Sequence, residues 1–437
     1  MVVHRSPAIA AVCGVLAVAL ASWPGGAPAA GVTLRVLDEG PAGNPWYQAA
    51  IAYARASGGR VQVEWVPASR ATIRARLAAA SASGDVGADL VRLTNAWAAE
   101  FSALLAPVAD RWAPTDREGV LPAALPAVTA RGQPYGLPRH FTLWVLLWNA
   151  RLFAESGLDP ARPPRTFAEF AAACRRLTRD RDGDGYIDQW GYVESLDAGA
   201  PLFTAFERWL YRAGGAVADA RGEPAFNDAR GLRALAAMDA LIHEHQCLDP
   251  GALALTPAGA RQLFLAGRAA MMAATTPVWL DALGATRRGA LGGRVGIAVL
   301  PGLGPGLPRT ATVYEADGYG ITASALRRGV GDAAWGLLEH MASVPVQIVA
   351  LKHRGYLPTA ARLYDDRELR ADAVAGPLLA VAAEAMRHPV RRFGRPGRER
   401  VEALVSPFLQ RALRRRESLR GALDDAAAAV ARVMRGP

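Results

Sequence analysis

Residues 180–188 read Asp-Arg-Asp-Gly-Asp-Gly-Tyr-Ile-Asp, an acidic loop with oxygen ligands at positions 1, 3, 5 and 9 and glycine at position 6. That spacing is the first part of a calcium loop, in which the glycine allows the sharp turn. Asp180, Asp182, Asp184, Tyr186 and Asp188 are therefore the candidate ligands of a structural calcium ion. Position 12, where a bidentate glutamate belongs, is Gly191, so Glu194 or water would have to complete the shell. The alternative is an Asp-rich turn that hydrogen-bonds its own backbone. Other chemistry is missing. The chain has no Gly-x-Ser-x-Gly elbow, no phosphate-cradling Gly-x-x-x-x-Gly-Lys loop and no His-Glu-x-x-His zinc helix. Carboxylates such as Glu39, Glu315 and Asp317 could serve glycoside cleavage, but nothing in their spacing marks an acid–base pair. No catalytic residue and no required cofactor follow.

With 437 residues the chain exceeds one compact core and is expected to fold as two domains. Hydrophobic content of 51% and charged content of 21% describe a globular protein rather than a disordered one. The net charge of +10 comes from arginine, since Lys352 is the single lysine. No nucleic-acid motif accompanies that charge, so no nucleic-acid partner is expected. Arg5, the apolar run Ala8 to Leu20 and the small-residue site Ala27-Pro28-Ala29 read as a signal peptide over 1–29, which sends the mature protein to the periplasm. Cleavage leaves Cys174 and Cys247, which an oxidising compartment allows to pair; their proximity stays open.

The periodicity then shows what positions these residues. Val32 to Leu37, Val61 to Val66 and Ala88 to Leu93 have strand patterns, and Trp46 to Ala56, Ile73 to Ala80 and Ala96 to Leu104 have helical ones. Such alternation implies an α/β fold with a parallel sheet, whose ligands sit beyond the carboxyl ends of the strands. Leu143 to Trp148 is a continuous apolar run, as in a strand buried on both faces. Asn149 can cap a short helix that Gly157 ends, and Thr166 with Glu169 forms a capping box.

Several pieces lie in a fixed order: Gly136-Leu137-Pro138, Trp148-Asn149, Phe153 to Leu158, Pro163 to Thr166, Phe167 to Phe170, Phe264 to Met271 and Gly355 to Thr359. Together they resemble the extracellular solute-binding proteins of ABC importers, in particular the sugar-binding, maltose-binding-protein-like branch. Ala88 stands where that family usually has proline, and Asp317 where it has a small residue. The resemblance implies a two-lobed periplasmic binding protein fold with discontinuous lobes: 30–138 with 318–358, and 139–317 with 359–437. Hinge crossings would lie near Arg139, Asp317 and Pro358.

It also implies a monomeric receptor, not an enzyme, that binds a mono- or oligosaccharide in an interlobe cleft and delivers it to the transmembrane subunits of an ABC permease. A sugar phosphate or other small polar solute, and an exported carbohydrate-active enzyme, are the alternatives. Sugars present apolar C–H faces and polar edges, so their sites use aromatic platforms ringed by planar polar groups. Trp46, Trp97, Trp148, Trp209, Trp279 and Tyr319 are the candidate platforms. Glu39, Asn95, Arg139, His140, Thr276, Asp317 and Arg354 are the candidate polar contacts. Trp279 is expected on the rim of the second lobe, and Trp148 near the hinge and more buried.

Overall fold

The computed structural model describes residues 31–94, 97–304, 312–387, 389–391 and 398–435. In chain order its principal elements begin with β1 (Val32–Asp38), α1 (Pro45–Ala56), β2 (Val61–Pro67), α2 (Arg70–Ser83), β3 (Leu90–Thr94) and β4 (Gly136–Asn149). Then come α3 (Phe167–Leu177), β5 (Trp190–Val193), α4 (Ala200–Arg212), α5 (Ala229–His243), α6 (Pro257–Leu265), β6 (Ala269–Thr275), α7 (Thr276–Arg287) and β7 (Val295–Ala298). The chain closes with β8 (Thr312–Ile321), α8 (Gly331–Ala342), α9 (Val344–Arg354), α10 (Ala375–Ala385), α11 (Arg398–Leu413) and α12 (Leu419–Arg435). These form two compact units, residues 1–141 with 315–371 and residues 142–314 with 372–437. Breaks expected at 138/139, 317/318 and 358/359 thus fall at 141/142, 314/315 and 371/372. The first two lie inside β4 and β8.

In the first unit β1 lies between β2 and β3, parallel to both, and β8 adds antiparallel to β3. The two crossovers start where sequence chemistry satisfies the first N–H groups. Asn44 accepts from Trp46 and Tyr47 at the head of α1, and Ser69 accepts from Thr72 at the head of α2. Gly84, with φ of +74°, ends α2 in the left-handed region that favours glycine. The helix expected over Ala96 to Leu104 is shorter: one turn at Trp97–Glu100, followed by a tight turn at Ser102–Leu104. Gly136 opens β4 because a Cβ there would collide with the Tyr319 carbonyl.

The second unit is built around the apolar half of β4. Residues Trp144 to Trp148 pair antiparallel with β6 along one edge, and Leu146 to Asn149 pair with β7 along the other. Val145 to Trp148, which point alternately to the two faces, are all buried, so this run carries no polar alternation. β5 adds parallel to β6. Trp148 lies opposite Gly296 of β7, and a Cβ on Gly296 would collide with its indole ring. Trp148 is buried there and donates its Nε1–H to Pro160 O at 3.0 Å. The capping box opens α3, with Thr166 and Glu169 each bonding the other's backbone N–H. Phe170, Cys174 and Leu177 of α3 face a core shared with Phe203, Phe206 and Trp209 of α4, Leu241 of α5 and Leu409 of α11. Cys174 and Cys247 are joined by a disulfide within this core, settling what the sequence alone left open.

Candidate functional site

In the first unit the strand ends bring charged side chains of distant sequence together. Arg92, paired with Tyr319 in the β3–β8 register, sends Nη2 to Asp317 Oδ2 at 2.6 Å and Nη1 to Glu39 Oε1 at 2.7 Å. Arg139 Nη1 reaches Asp38 Oδ2 at 2.7 Å, and Tyr319 donates its hydroxyl to the same oxygen. Arg139 also lies 4.1 Å from the Trp46 ring centre and 4.6 Å from that of Tyr319. His140 stacks on Trp46 at 4.7 Å and meets Tyr356 at 4.1 Å. Beside them Thr94 donates to Glu315 at 3.0 Å, and Arg70 pairs with Glu315.

The electrostatics follow from burial set against pairing. Burial alone would raise the carboxyls of Asp38 and Asp317, but Arg139 and Arg92 outweigh it for the first and Arg92 foremost for the second. Both stay ionised, Asp317 far below the usual carboxylate range. Burial likewise opposes the charge on Arg139, and Asp38 overcomes it. His140 goes the other way. Burial, reinforced by Arg139 and Arg92, pushes its imidazole down to about 3 against the pull of Asp317. Here Asp38, Glu39, Glu315 and Asp317 face Arg70, Arg92 and Arg139, so each guanidinium is matched to a carboxylate and His140 is neutral. Arg70, Arg92 and Arg139 are thus committed to carboxylates rather than free for an anionic ligand.

The His140 shift has a testable sign. Its folded pKa lies below the unfolded 6.5, so its contribution is fully present above pH 6.5 and is lost as pH falls from 6.5 toward 3. The slope from this group is about 1.4 kcal/mol per pH unit. Urea unfolding at pH 7 and at pH 5 should show that loss in the native protein and a smaller one in His140→Gln.

In the second unit a cavity of about 500 Å³ opens where β5 and β6 end and α4, α6 and α7 begin. Trp144 of β4, Met272 to Thr275 of β6 and Val278 of α7 form one side. Pro201 and Arg208 of α4, Pro257 of α6 and Glu194 after β5 form the other. Arg208 pairs with Glu194 and lies 3.8 Å from the Trp144 ring centre. Trp209 Nε1 donates to the second oxygen of Glu194 at 3.3 Å.

The expected site residues are distributed unevenly between these two places. Glu39, Trp46, Arg139, His140, Asp317 and Tyr319 do come together, but as a buried network in which only Glu39 is exposed. Trp46 is covered by His140 and Arg139 and so offers no open face. Trp97 is buried, with Arg70 over its ring at 5.8 Å. Trp209 is core, covered by Arg212 at 3.8 Å. Trp279 is more buried than the rim position expected of it, and its Nε1–H has no partner. It is 4% exposed and shares the buried stripe of α7 with Ala282 and Ala285, at helical spacing that turns it inward. Val278, one position earlier, faces the cavity instead. Thr276 is fully buried, Arg354 is exposed beside Gly43, and Asn95 lies outside the described residues.

Trp144, Glu194 and Arg208, which line this cavity, were not singled out as ligand candidates in the sequence. Trp144 reads as one more apolar residue of a buried strand, and an ion pair across fourteen residues of loop and helix leaves no local pattern. Trp144, one of two tryptophans in a run otherwise built of leucine and valine, was the available signal.

The acidic loop is partly as expected. Asp180, Asp182 and Asp188 place carboxylate oxygens within 4.8 Å of one another, while Asp184 and Tyr186 stand outside that group. Asp184 instead accepts from the Tyr186 N–H at 2.8 Å, and the Tyr186 side chain is 77% exposed. Asp180 accepts from Gly183 at 2.7 Å and Gly185 at 2.8 Å; the N–H of Gly185, then that of Gly183, holds its carboxyl below the ordinary value. These bonds describe an Asp-rich turn closed on its own backbone.

Comparison with known proteins places this architecture. Residues 39–348 match the family of bacterial extracellular solute-binding proteins. A probable ABC transporter-binding protein of Deinococcus radiodurans is 26% identical over 283 residues, 62% of this chain and 63% of that relative, so under two thirds of the relative is spanned. Among solved structures, maltose-bound MalE3 of T. maritima superposes with a TM-score of 0.79 at 21% identity, covering 92% of this chain and 99% of that one. An ABC transporter solute-binding protein of Thermotoga lettingae bound to α-D-tagatose gives 0.76 at 22% identity, covering 92% and 99%. The maltotriose-bound MalE domain of Bdellovibrio bacteriovorus gives 0.75 at 20%, covering 93% and 100%. Their shared fold is that of two-lobed, MalE-like periplasmic binding proteins, and the chain, matched over most of its length, belongs to the bacterial extracellular solute-binding protein family.

Proposed function

We propose that this protein is the exported receptor of an ABC importer, that it captures a neutral mono- or oligosaccharide, and that it delivers this ligand to the permease without chemically changing it. The observation that carries the ligand class is the second-unit cavity. It combines an indole, Trp144, with a mutually neutralised Glu194–Arg208 pair, which suits the apolar face or substituent of an uncharged ligand. The first-unit network supports the same choice over a sugar phosphate, because its arginines are committed to carboxylates and its histidine is neutral. Proteins of like fold that bind maltose, tagatose and maltotriose agree with it. Export rests on Arg5, the apolar run Ala8 to Leu20 and Ala27-Pro28-Ala29. The receptor acts as a monomer and has no nucleic-acid partner.

A thermal-shift panel tests this reading, since a ligand selective for the native state raises the melting temperature; at a hundred times Kd the gain is about 2.7 kcal/mol. Neutral saccharides should raise it. A rise with amino acids, peptides or polyamines and with no saccharide would overturn the proposal.

A further inference from the structure

Most hydrogen-bonding groups that line the second-unit cavity are already committed; the hydroxyl of Thr275, which makes no cap bond at the head of α7, is the exception. Both oxygens of Glu194 are already taken, by Arg208 and by the Trp209 N–H. Arg208 is 2% exposed, and its Nε, though unpartnered, is shut off from solvent. Ser195 donates to Leu255 O at 2.7 Å, and Arg261 is paired with Asp281 at 3.1 Å. The helix starts around the cavity are depleted too. α4, α6 and α7 each carry proline in the first two positions, Pro201, Pro257 and Pro277, so each lacks one of the N–H groups that a helix start usually offers to ligand oxygens. The facing strand presents Met272, Ala273 and Ala274, and Val278 completes that wall.

A sugar ring seated in such a wall would strand its hydroxyls, and a buried hydroxyl without a partner weakens binding. An apolar group loses nothing there and gains from leaving water. A cavity of about 500 Å³ has room for a six-membered ring with space to spare. We infer that the cavity holds an apolar substituent of the saccharide, so that the physiological ligand is a glycoside with an aryl or alkyl aglycone rather than a bare sugar. This rests on the saccharide reading above and narrows it.

Calorimetry on the mature chain with matched pairs tests the inference: glucose against phenyl glucoside, cellobiose against phenyl cellobioside, and maltose against phenyl maltoside. In a pair that binds, the phenyl glycoside should bind at least about tenfold tighter, with a more negative heat-capacity change from the apolar area buried. In Val278→Asn, which places an amide on the half-buried cavity wall, that ratio should fall below about threefold. Equal or weaker binding of the phenyl member in the native protein overturns the aglycone inference while leaving the saccharide reading intact. Heat from none of the sugars or glycosides, alongside binding of an amino acid or polyamine, overturns both.

Discussion

Replacing Arg139 with methionine is expected to lower the unfolding free energy by about 3–5 kcal/mol, because it strips a buried carboxylate of its closest cation. Asp38 is fully buried and has Arg139 at 2.7 Å, while Arg92 stands 3.8 Å from its other oxygen. Methionine fills much of the volume but leaves only neutral donors to that oxygen, the Tyr319 hydroxyl and, at 3.4 Å, Asn44 Nδ2. The same guanidinium fills the space between the Trp46 and Tyr319 rings, so part of the loss is packing. A second variant separates the two contributions. Arg139→Met combined with Asp38→Asn removes the orphaned charge and should recover part of the loss, which urea melts of the single and double variants would show. A single variant as stable as the native protein would mean that the network contributes no stability.

Loss of the Cys174–Cys247 bond should be nearly as severe. The bond closes a 73-residue separation inside the second-unit core, and the chain-entropy account gives roughly 4 kcal/mol for such a loop. For a unit of this size that corresponds to a fall in melting temperature on the order of 10 °C. The bond ties the last turns of α3 to the segment after α5, whose Cys247 carbonyl accepts from Tyr192 of β5 at 3.1 Å, so helix, strand and loop loosen together. Melting with and without reductant, and of the Cys174→Ala/Cys247→Ala variant, checks it. Coincident curves would contradict it.

How much of this was legible in the sequence depended on the range of the cause. Local causes were readable: the Thr166–Glu169 capping box, Asn149 as an N-cap and Gly157 in the left-handed conformation with φ of +67° stand where their residue types place them. So was the doubly buried strand, since its apolar run follows from burial on both faces. Helix phase was harder to read. Val278 and Trp279 are neighbours in sequence, yet the valine lines the cavity while the indole lies in the buried stripe of α7. Long-range pairing was the other gap. Arg139 and Asp317 were recognised as polar groups at the crossings, but only the fold shows that Asp38, Arg92, Arg139 and Asp317 neutralise one another in a buried cluster that also encloses a neutral His140. Similarly, Glu194 was considered for calcium, whereas its oxygens belong to Arg208 and Trp209.

The most direct test of the central claim is calorimetric titration of Trp144→Ala beside the native protein, using whichever neutral saccharide or glycoside the panel identifies. If the second-unit cavity is the binding site, loss of the indole that lines it should weaken affinity by about 1–3 kcal/mol, roughly ten- to hundredfold, at a temperature where both proteins are folded. Unchanged affinity in Trp144→Ala would contradict the account and move the site elsewhere in the chain.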